Sequence, residues 1–276
     1  MTRVLGVPTI TSVTGIGPLF ESKGLAYSMA RWLYKRVLKK ARLVVFPNQD
    51  DLNLFVEKKF VRLEQTMIVA GSGVNVGYFS PRITEKKQEG KFIFLFIGRL
   101  LRDKGVVEFV EAAEKVRSQY NNTEFQIIGP VWKSNKKKLV ISTEDVEAWE
   151  KAGTITYLGT KNDVRQYIAN ADCVVMPSYR EGMNNVLLEA ASMELPLITT
   201  NVTGCKEIVD DDVNGLLCKV KDSGDLAAKM IRMIHLSLAE RKRMGKAGRE
   251  KMINQFDKKI VVNDYLVAIE RNISIN

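Results

Sequence analysis

Six apolar residues follow one another without a polar break at Phe92-Ile93-Phe94-Leu95-Phe96-Ile97. A strand that is apolar on both faces has to be covered on both, which is the situation inside a parallel sheet flanked by helices. The chain then repeats this pattern. Phe125-Gln126-Ile127-Ile128 ends in Gly129-Pro130, Ile155 to Leu158 ends in Gly159, Cys173 to Met176 ends in Pro177, and Leu197-Ile198-Thr199 forms a fifth run. Helical periodicity fills the gaps, from Val106 to Gln119, near Glu144–Lys151 and around Val164–Ala169. Further helices are expected at Asp225–Ser237, Ala239–Ile253 and Lys258–Arg271, covering the same sheet. Alternation of this kind predicts an α/β fold with a doubly wound sheet of Rossmann type.

Open parallel sheets bind ligands at the carboxyl ends of their strands, where loops converge and helix starts point their unpaired amides. The richest such loop is Arg180-Glu181-Gly182-Met183-Asn184-Asn185-Val186-Leu187-Leu188-Glu189, which follows the fourth strand. Gly182 lets a ligand approach the backbone, and Asn184 and Asn185 are candidate helix caps. Glu181 falls in the turn and Glu189 inside the helix. Ionised carboxylates only accept hydrogen bonds, which suits the hydroxyls of a sugar or ribose. Gly98, Arg99 and Lys104 lie in the loop and first helical turn after the first strand. A guanidinium grips phosphate oxygens in pairs, and an ammonium adds a compact charge.

The spacing of Glu181 and Glu189, with Gly182 after the first and a strand ahead, resembles the signature of the retaining GT-B glycosyltransferases of family 4. That resemblance implies a complete Rossmann-like nucleotide-sugar-binding lobe. It implies donor binding by Gly98, Arg99, Lys104, Glu181, Gly182, Met183, Asn184, Asn185, Val186 and Glu189. Arg99 and Lys104 are then the diphosphate-binding cations, Glu181 contacts the donor sugar and Glu189 the ribose. Catalysis falls to Glu181, Arg99 and Lys104, through a front-face reaction needing neither metal nor other cofactor. Gly204–Val209 and Asp212–Leu217 resemble motifs near the end of the same lobe. Ala70–Asn75 with Tyr78-Phe79-Ser80-Pro81 resembles the family's interlobe link, with Asn75 where Asp is usual.

The amino-terminal part resembles only part of a first lobe, beginning near a strand at Val7–Thr11. The expected domains are therefore a partial acceptor-side lobe with its link, 1–80, and the nucleotide-sugar lobe with the final helices, 81–276. Within the first, Val13-Thr14-Gly15-Ile16-Gly17-Pro18 is either a phosphate-cradling loop or a tight connection. A helix is expected at Leu25–Ala41, a buried strand at Leu43–Phe46, and a short helix from Gln49 to about Lys58. Leu25, Met29, Trp32, Leu33, Arg36, Val37 and Lys40 form one side of the first helix, and its apolar stripe is expected to be core.

Charge is concentrated at this end. Residues 1–42 hold eight Lys or Arg and one acid, Glu21, so they carry 8 − 1 = +7 of the chain's net +10. An anionic partner is implied, either a polyphosphate or a membrane surface. Nucleic acid is the weaker reading, because the sequence has no zinc-finger, helix-turn-helix or aromatic-basic sheet motif. The Val13–Phe20 run and the basic helix after it resemble bacterial surface-polysaccharide transferases acting on lipid-linked sugars. The expected activity is hexosyl transfer from a UDP-sugar to a lipid-linked saccharide hydroxyl, with retention; the alternative is a non-catalytic nucleotide-sugar-binding remnant. Cys173, Cys205 and Cys218 lack metal-type spacing and are expected to be buried thiols in a reducing cytoplasm, with the protein at most peripheral to the membrane. Met1–Val4 does not open like a secretory leader, and no run of about 18 apolar residues offers a membrane span.

Overall fold

The computed structural model describes residues 8–16, 24–81, 90–131 and 139–273. Val7, Gly17 and Pro18, Glu85–Glu89 and the basic loop Lys136–Lys138 lie outside them. The chain divides into two compact units, Met1–Gly73 with Gln255–Asn276, and Val74–Asn254.

The first unit holds β1 (Ile10–Ser12), α1 (Leu25–Leu38), β2 (Leu43–Phe46), α2 (Gln49–Glu57) and β3 (Thr66–Ile68). Its strands pair in parallel in the order β1-β2-β3, with Thr11 opposite Val44 and Val45 opposite Met67. Every residue of β2 is buried, and alternate side chains serve opposite faces as the two-residue repeat requires. Val44 and Phe46 join Leu38, Leu52, Phe55 and Phe60 on one side. Leu43 and Val45 join Val69, Val261 and Ala268 on the other. The Asn48 side chain caps α2 by accepting from the Asp51 amide at 2.8 Å.

Two expectations fail here. The final helix, whose residues Val261 and Ala268 complete the second face of β2, belongs to the first unit and not to the nucleotide-sugar lobe. The apolar stripe of α1 is not core either. Leu38 and Tyr34, on the opposite side, pack against the sheet, while Leu25, Met29, Trp32, Leu33 and Val37 face solvent. Helical periodicity locates apolar faces, and α1 has two.

The second unit runs β4 (Phe92–Ile97), α3 (Val106–Arg117), β5 (Thr123–Ile128), α4 (Thr143–Lys151), β6 (Thr156–Tyr157), α5 (Arg165–Asn170), β7 (Cys173–Met176), α6 (Asn185–Ser192), β8 (Leu197–Thr200), β9 (Gly215–Cys218), α7 (Ser223–His235) and α8 (Leu238–Lys251). The returning helix, α9, spans Lys258–Ile273. All pairings are parallel, in the order β6-β5-β4-β7-β8-β9. Numbered within the unit this is 3-2-1-4-5-6, the doubly wound order, whose direction of winding reverses between β4 and β7. The sixth strand, β9, arises from the segment the sequence reading took only as a motif. Across β4 and β5, Phe94 stacks on Phe125 with ring centroids 5.4 Å apart, and Phe109 of α3 meets Phe125 edge-on at 6.1 Å.

Residues 74–80, expected with the first domain, also go with this unit. Asn75 folds the link into a turn by accepting from the amides of Gly77 and Tyr78 at 3.1 and 3.0 Å. Ser192 Oγ donates to the Phe79 carbonyl at 2.8 Å, and the Arg249 guanidinium donates to the carbonyls of Val76 and Phe79 at 3.3 Å each.

At the reversal point the loops after β4 and β7 lie against each other. Gly105 has φ +74°, and a Cβ on it would sit 2.0 Å from the Pro177 carbonyl oxygen. Only glycine meets both conditions. Gly105→Ala is expected to cost roughly 2–4 kcal/mol, combining left-handed strain with a backbone clash; a loss below about 0.5 kcal/mol on chemical denaturation, within the range of surface substitutions, would contradict the contact. In the first unit, Phe55 is fully buried between Phe46 at 5.1 Å, Phe60 at 5.6 Å and Tyr34 at 6.0 Å. Phe55→Ala is expected to lower the stability of that unit by about 3–5 kcal/mol, read from its denaturation midpoint.

Candidate active site

The site grows from the two loops at the reversal point. Gly98 prolongs β4 by donating to the Ile128 carbonyl at 2.9 Å. Gly129 closes over it so tightly that a Cβ on Gly129 would lie 1.8 Å from the Gly98 carbonyl oxygen. Arg99 follows, exposed at the carboxyl edge of the sheet. The chain then makes a 3-10 turn over Arg102–Lys104, stopped by left-handed Gly105. From the other loop, the Tyr179 amide donates to the Asp103 carbonyl at 2.8 Å, and the Tyr179 hydroxyl donates to Glu108 of α3 at 2.6 Å. Backbone and side chain together therefore fix one loop on the other.

That contact brings Lys104 to Glu181, 77 residues away in sequence. The Lys104 ammonium donates to both Glu181 oxygens at 2.7 Å, and the two side chains are only 16% and 14% exposed. Ser178 Oγ donates to Oε1 of the same carboxylate at 2.9 Å, and the Asn184 amide group approaches it at 3.4 Å. A third loop supports the second from behind. The Glu181 amide donates to the Thr203 carbonyl at 3.0 Å and the Asn184 amide to the Gly204 carbonyl at 2.9 Å. Gly204 has φ +82°, and a Cβ there would sit 2.5 Å from the Glu181 carbonyl.

Asn184 is the cap of α6, accepting from the Leu187 amide at 3.1 Å. Asn185 is not a cap: it is the exposed first residue of the helix. Gly182, Met183 and Val186 are half-buried around this helix start. Glu189 stands in the second turn, half-buried, with no side-chain hydrogen bond or ion pair among the described residues. Burial pushes its carboxyl up to about 7. A carboxyl held near neutrality without a partner is a strong acceptor for a ligand that brings its own hydroxyls.

Every predicted site residue thus lies on the loops after β4 and β7 or on the helix that follows. The structure joins Lys104, Glu181 and Asn184 directly. Sequence reasoning missed Ser178 and the supporting roles of glycines 105 and 204. A hydroxyl three residues before a carboxylate in one turn was the available signal for Ser178. His235 ends α7 and pairs with the Tyr120 hydroxyl at 2.7 Å, outside these loops. All three cysteines are unpaired and buried, as expected, and burial raises the Cys205 and Cys218 thiols to about 12. Among the described residues no helix is long and apolar enough to cross a membrane.

Residues 81–251 match the family described as "Glycosyl transferases group 1". A Campylobacter jejuni N,N'-diacetylbacillosaminyl-diphospho-undecaprenol alpha-1,3-N-acetylgalactosaminyltransferase is 26% identical over 94% of this chain and 69% of its own length. An Escherichia coli UDP-Gal:alpha-D-GlcNAc-diphosphoundecaprenol alpha-1,3-galactosyltransferase is 26% identical over 92% of this chain and 67% of its own. The chain spans 52% of the Staphylococcus aureus capsular polysaccharide biosynthesis glycosyltransferase CapM, again at 26% identity over 71% of this chain. Among solved structures, Anabaena HepE in complex with UDP and glucose aligns with a TM-score of 0.81 at 17% identity, covering 98% of this chain and 73% of that one. Sucrose-phosphate synthase from Thermosynechococcus elongatus aligns with a TM-score of 0.79 at 19% identity, covering 98% and 69%. The fold is of the GT-B type, and the chain belongs to the group 1 glycosyl transferases.

Proposed function

We propose that this chain transfers a hexosyl group from a UDP-sugar to a hydroxyl of a lipid-linked saccharide in surface polysaccharide synthesis, with retention at the anomeric carbon. The observation that carries the reading is the Lys104–Glu181 pair at the winding reversal, two mostly buried opposite charges held by two loops and a helix start. Two of the relatives above are named for transfer to diphospho-undecaprenol saccharides, which supports the acceptor class.

In this reading the diphosphate lies over the loop that carries Arg99 and Lys104, facing the start of α6. Breaking the sugar–diphosphate bond builds negative charge on the leaving oxygen, and preorganised cations and amides stabilise it. Lys104 keeps two of its three ammonium hydrogens on Glu181 and has the third for a phosphate oxygen. Glu181, clamped by Lys104, Ser178 and Asn184, orients the sugar and the lysine and is not free to act as a nucleophile. The acceptor hydroxyl then attacks from the leaving-group side. Glu189 accepts the ribose hydroxyls. The reading routes no step through a metal, and a cytoplasmic setting suits the buried thiols.

Lys104→Ala is expected to reduce transfer to a lipid-linked acceptor about 10²–10³-fold, the scale of losing one transition-state charge contact, while EDTA leaves it unchanged. Full activity in the variant would defeat the assignment. UDP binding without any turnover supports the non-catalytic nucleotide-sugar-binding reading instead. Ribose hydroxyls stabilise ionised Glu189 and so lower a carboxyl that burial has raised to about 7. UDP affinity is therefore expected to rise with pH through 7 and to level off above it, with proton release visible as buffer-dependent binding heat. Loss of this dependence in Glu189→Gln is the expected control; a variant that keeps it would show another group to be responsible.

A further inference from the structure

Tyr179 grips the segment that carries Lys104 on both sides of it. Its amide donates to the Asp103 carbonyl at 2.8 Å, and its hydroxyl donates to Glu108 Oε1 at 2.6 Å. One bond falls just before Lys104 and the other about one helical turn beyond it. Two residues further along the same loop, Glu181 takes the Lys104 ammonium. The stretch from Asp103 to Glu108 is therefore attached at three points to the stretch from Tyr179 to Glu181.

The bond to Glu108 departs from ordinary helix-start chemistry. Glu108 is the third residue of α3, where an acid commonly turns back to the amide of the capping residue. The cap here is Gly105, which has no side chain, and its amide already donates to the Arg102 carbonyl at 3.0 Å. Glu108 reaches across to the other loop instead. Its second oxygen, Oε2, is buried with no hydrogen-bond partner among the described residues. A carboxylate left half-satisfied away from water contributes little net stability. What the bond does fix is the direction in which the first turn of α3, and Lys104 ahead of it, faces the second loop. Burial, and after it the carboxylate, hold the phenol well above its ordinary range, so it stays a donor at any working pH.

A further loop holds the ring. Lys221, between β9 and α7, places its ammonium 4.7 Å from the Tyr179 ring centroid, within cation–π reach. Its backbone is left-handed, with φ +58°, a strained conformation for a lysine. Strain of this kind persists where the surroundings impose it, and such positions cluster at functional sites.

We propose that Tyr179 and Glu108 are positioning residues for the transfer reaction, whose hydroxyl–carboxylate bond aims the Lys104 ammonium at the leaving diphosphate while Lys221 steadies the Tyr179 ring. The proposal rests on the transfer reading above and assigns these three residues no contact with substrate.

The test uses the full chain with UDP-galactose, UDP-glucose and their N-acetylated forms as donors and GlcNAc-diphosphoundecaprenol as acceptor. Tyr179→Phe keeps the ring and removes the hydroxyl; it should lower kcat about tenfold, the scale of a misaimed group, and leave donor KM within about twofold. Glu108→Leu should do the same, and the double variant should be no worse than either single one, because both remove one bond. Glu108→Gln, whose amide oxygen accepts from the phenol, should keep kcat within about threefold of wild type. Lys221→Gln should lower kcat about threefold. Denaturation midpoints of Tyr179→Phe and Glu108→Gln should match wild type, which separates aim from folding. Full kcat in Tyr179→Phe, a loss confined to KM, additive losses in the double variant, or a loss that follows the midpoint overturns the proposal. Hydrogen–deuterium exchange without ligand supplies a readout independent of turnover: amides 103–108 should exchange about threefold faster or more in Tyr179→Phe, with β5 unchanged. Unchanged exchange there defeats the clamp alone. A wild-type chain that transfers from none of these donors, yet shows the faster exchange in the variant, keeps the clamp and counts against the transfer reading alone.

Discussion

The Pro177 carbonyl fills the space where a side chain on residue 105 would lie, and from that single close approach the rest of the site follows. Two strands that are neighbours in the sheet but 76 residues or more apart along the chain end beside each other, because the winding reverses between them. The loops they feed can touch only if one of them lacks a Cβ at the crossing. Once they touch, the Tyr179 amide finds the Asp103 carbonyl, and the side chains immediately before Gly105 and four residues after Pro177 become an ion pair.

That pair is an uneconomical way to hold a protein together. Side chains this far out of water lose much of their hydration, and the mutual attraction roughly offsets the loss. The additional donors from Ser178 and Asn184 improve the balance for Glu181. Glu189 shows the complementary arrangement, a half-buried carboxyl without any described partner, raised toward neutrality by burial. Ionisable groups kept in such environments on adjoining elements are characteristic of binding and reaction sites. The bonds that hold the second loop in place run from the backbone amides of Glu181 and Asn184 to the Thr203 and Gly204 carbonyls, so they do not occupy the side chains.

Most of the second unit was legible in the sequence because its strands are apolar on both faces, and Phe92–Ile97 in particular has no other stable setting. β9 was harder. Gly215-Leu216-Leu217-Cys218 is four residues long and follows a turn, so its length and flanks say little, and it becomes a strand by pairing with β8. The loop positions of Arg99, Lys104, Glu181 and Glu189 followed from strand ends, whereas the Lys104–Glu181 contact required the sheet order, which no local pattern encodes. The placement of α9 shows the same limit. An amphipathic helix displays a face but not its partner, and Val261 and Ala268 turn out to cover β2. In α1 periodicity found the larger apolar stripe, while the smaller one, Tyr34 and Leu38, won the core because the sheet lies on that side.

The central claim is that a nucleotide diphosphate seats where the loops after β4 and β7 meet. Hydrogen–deuterium exchange with and without UDP tests it most directly, since amides that gain a ligand or lose an opening motion slow in place. Slowing concentrated in residues 98–105 and 178–189, with α1 and α2 unaffected, is the predicted result. Slowing confined to other segments, or none at saturating UDP, would contradict the account.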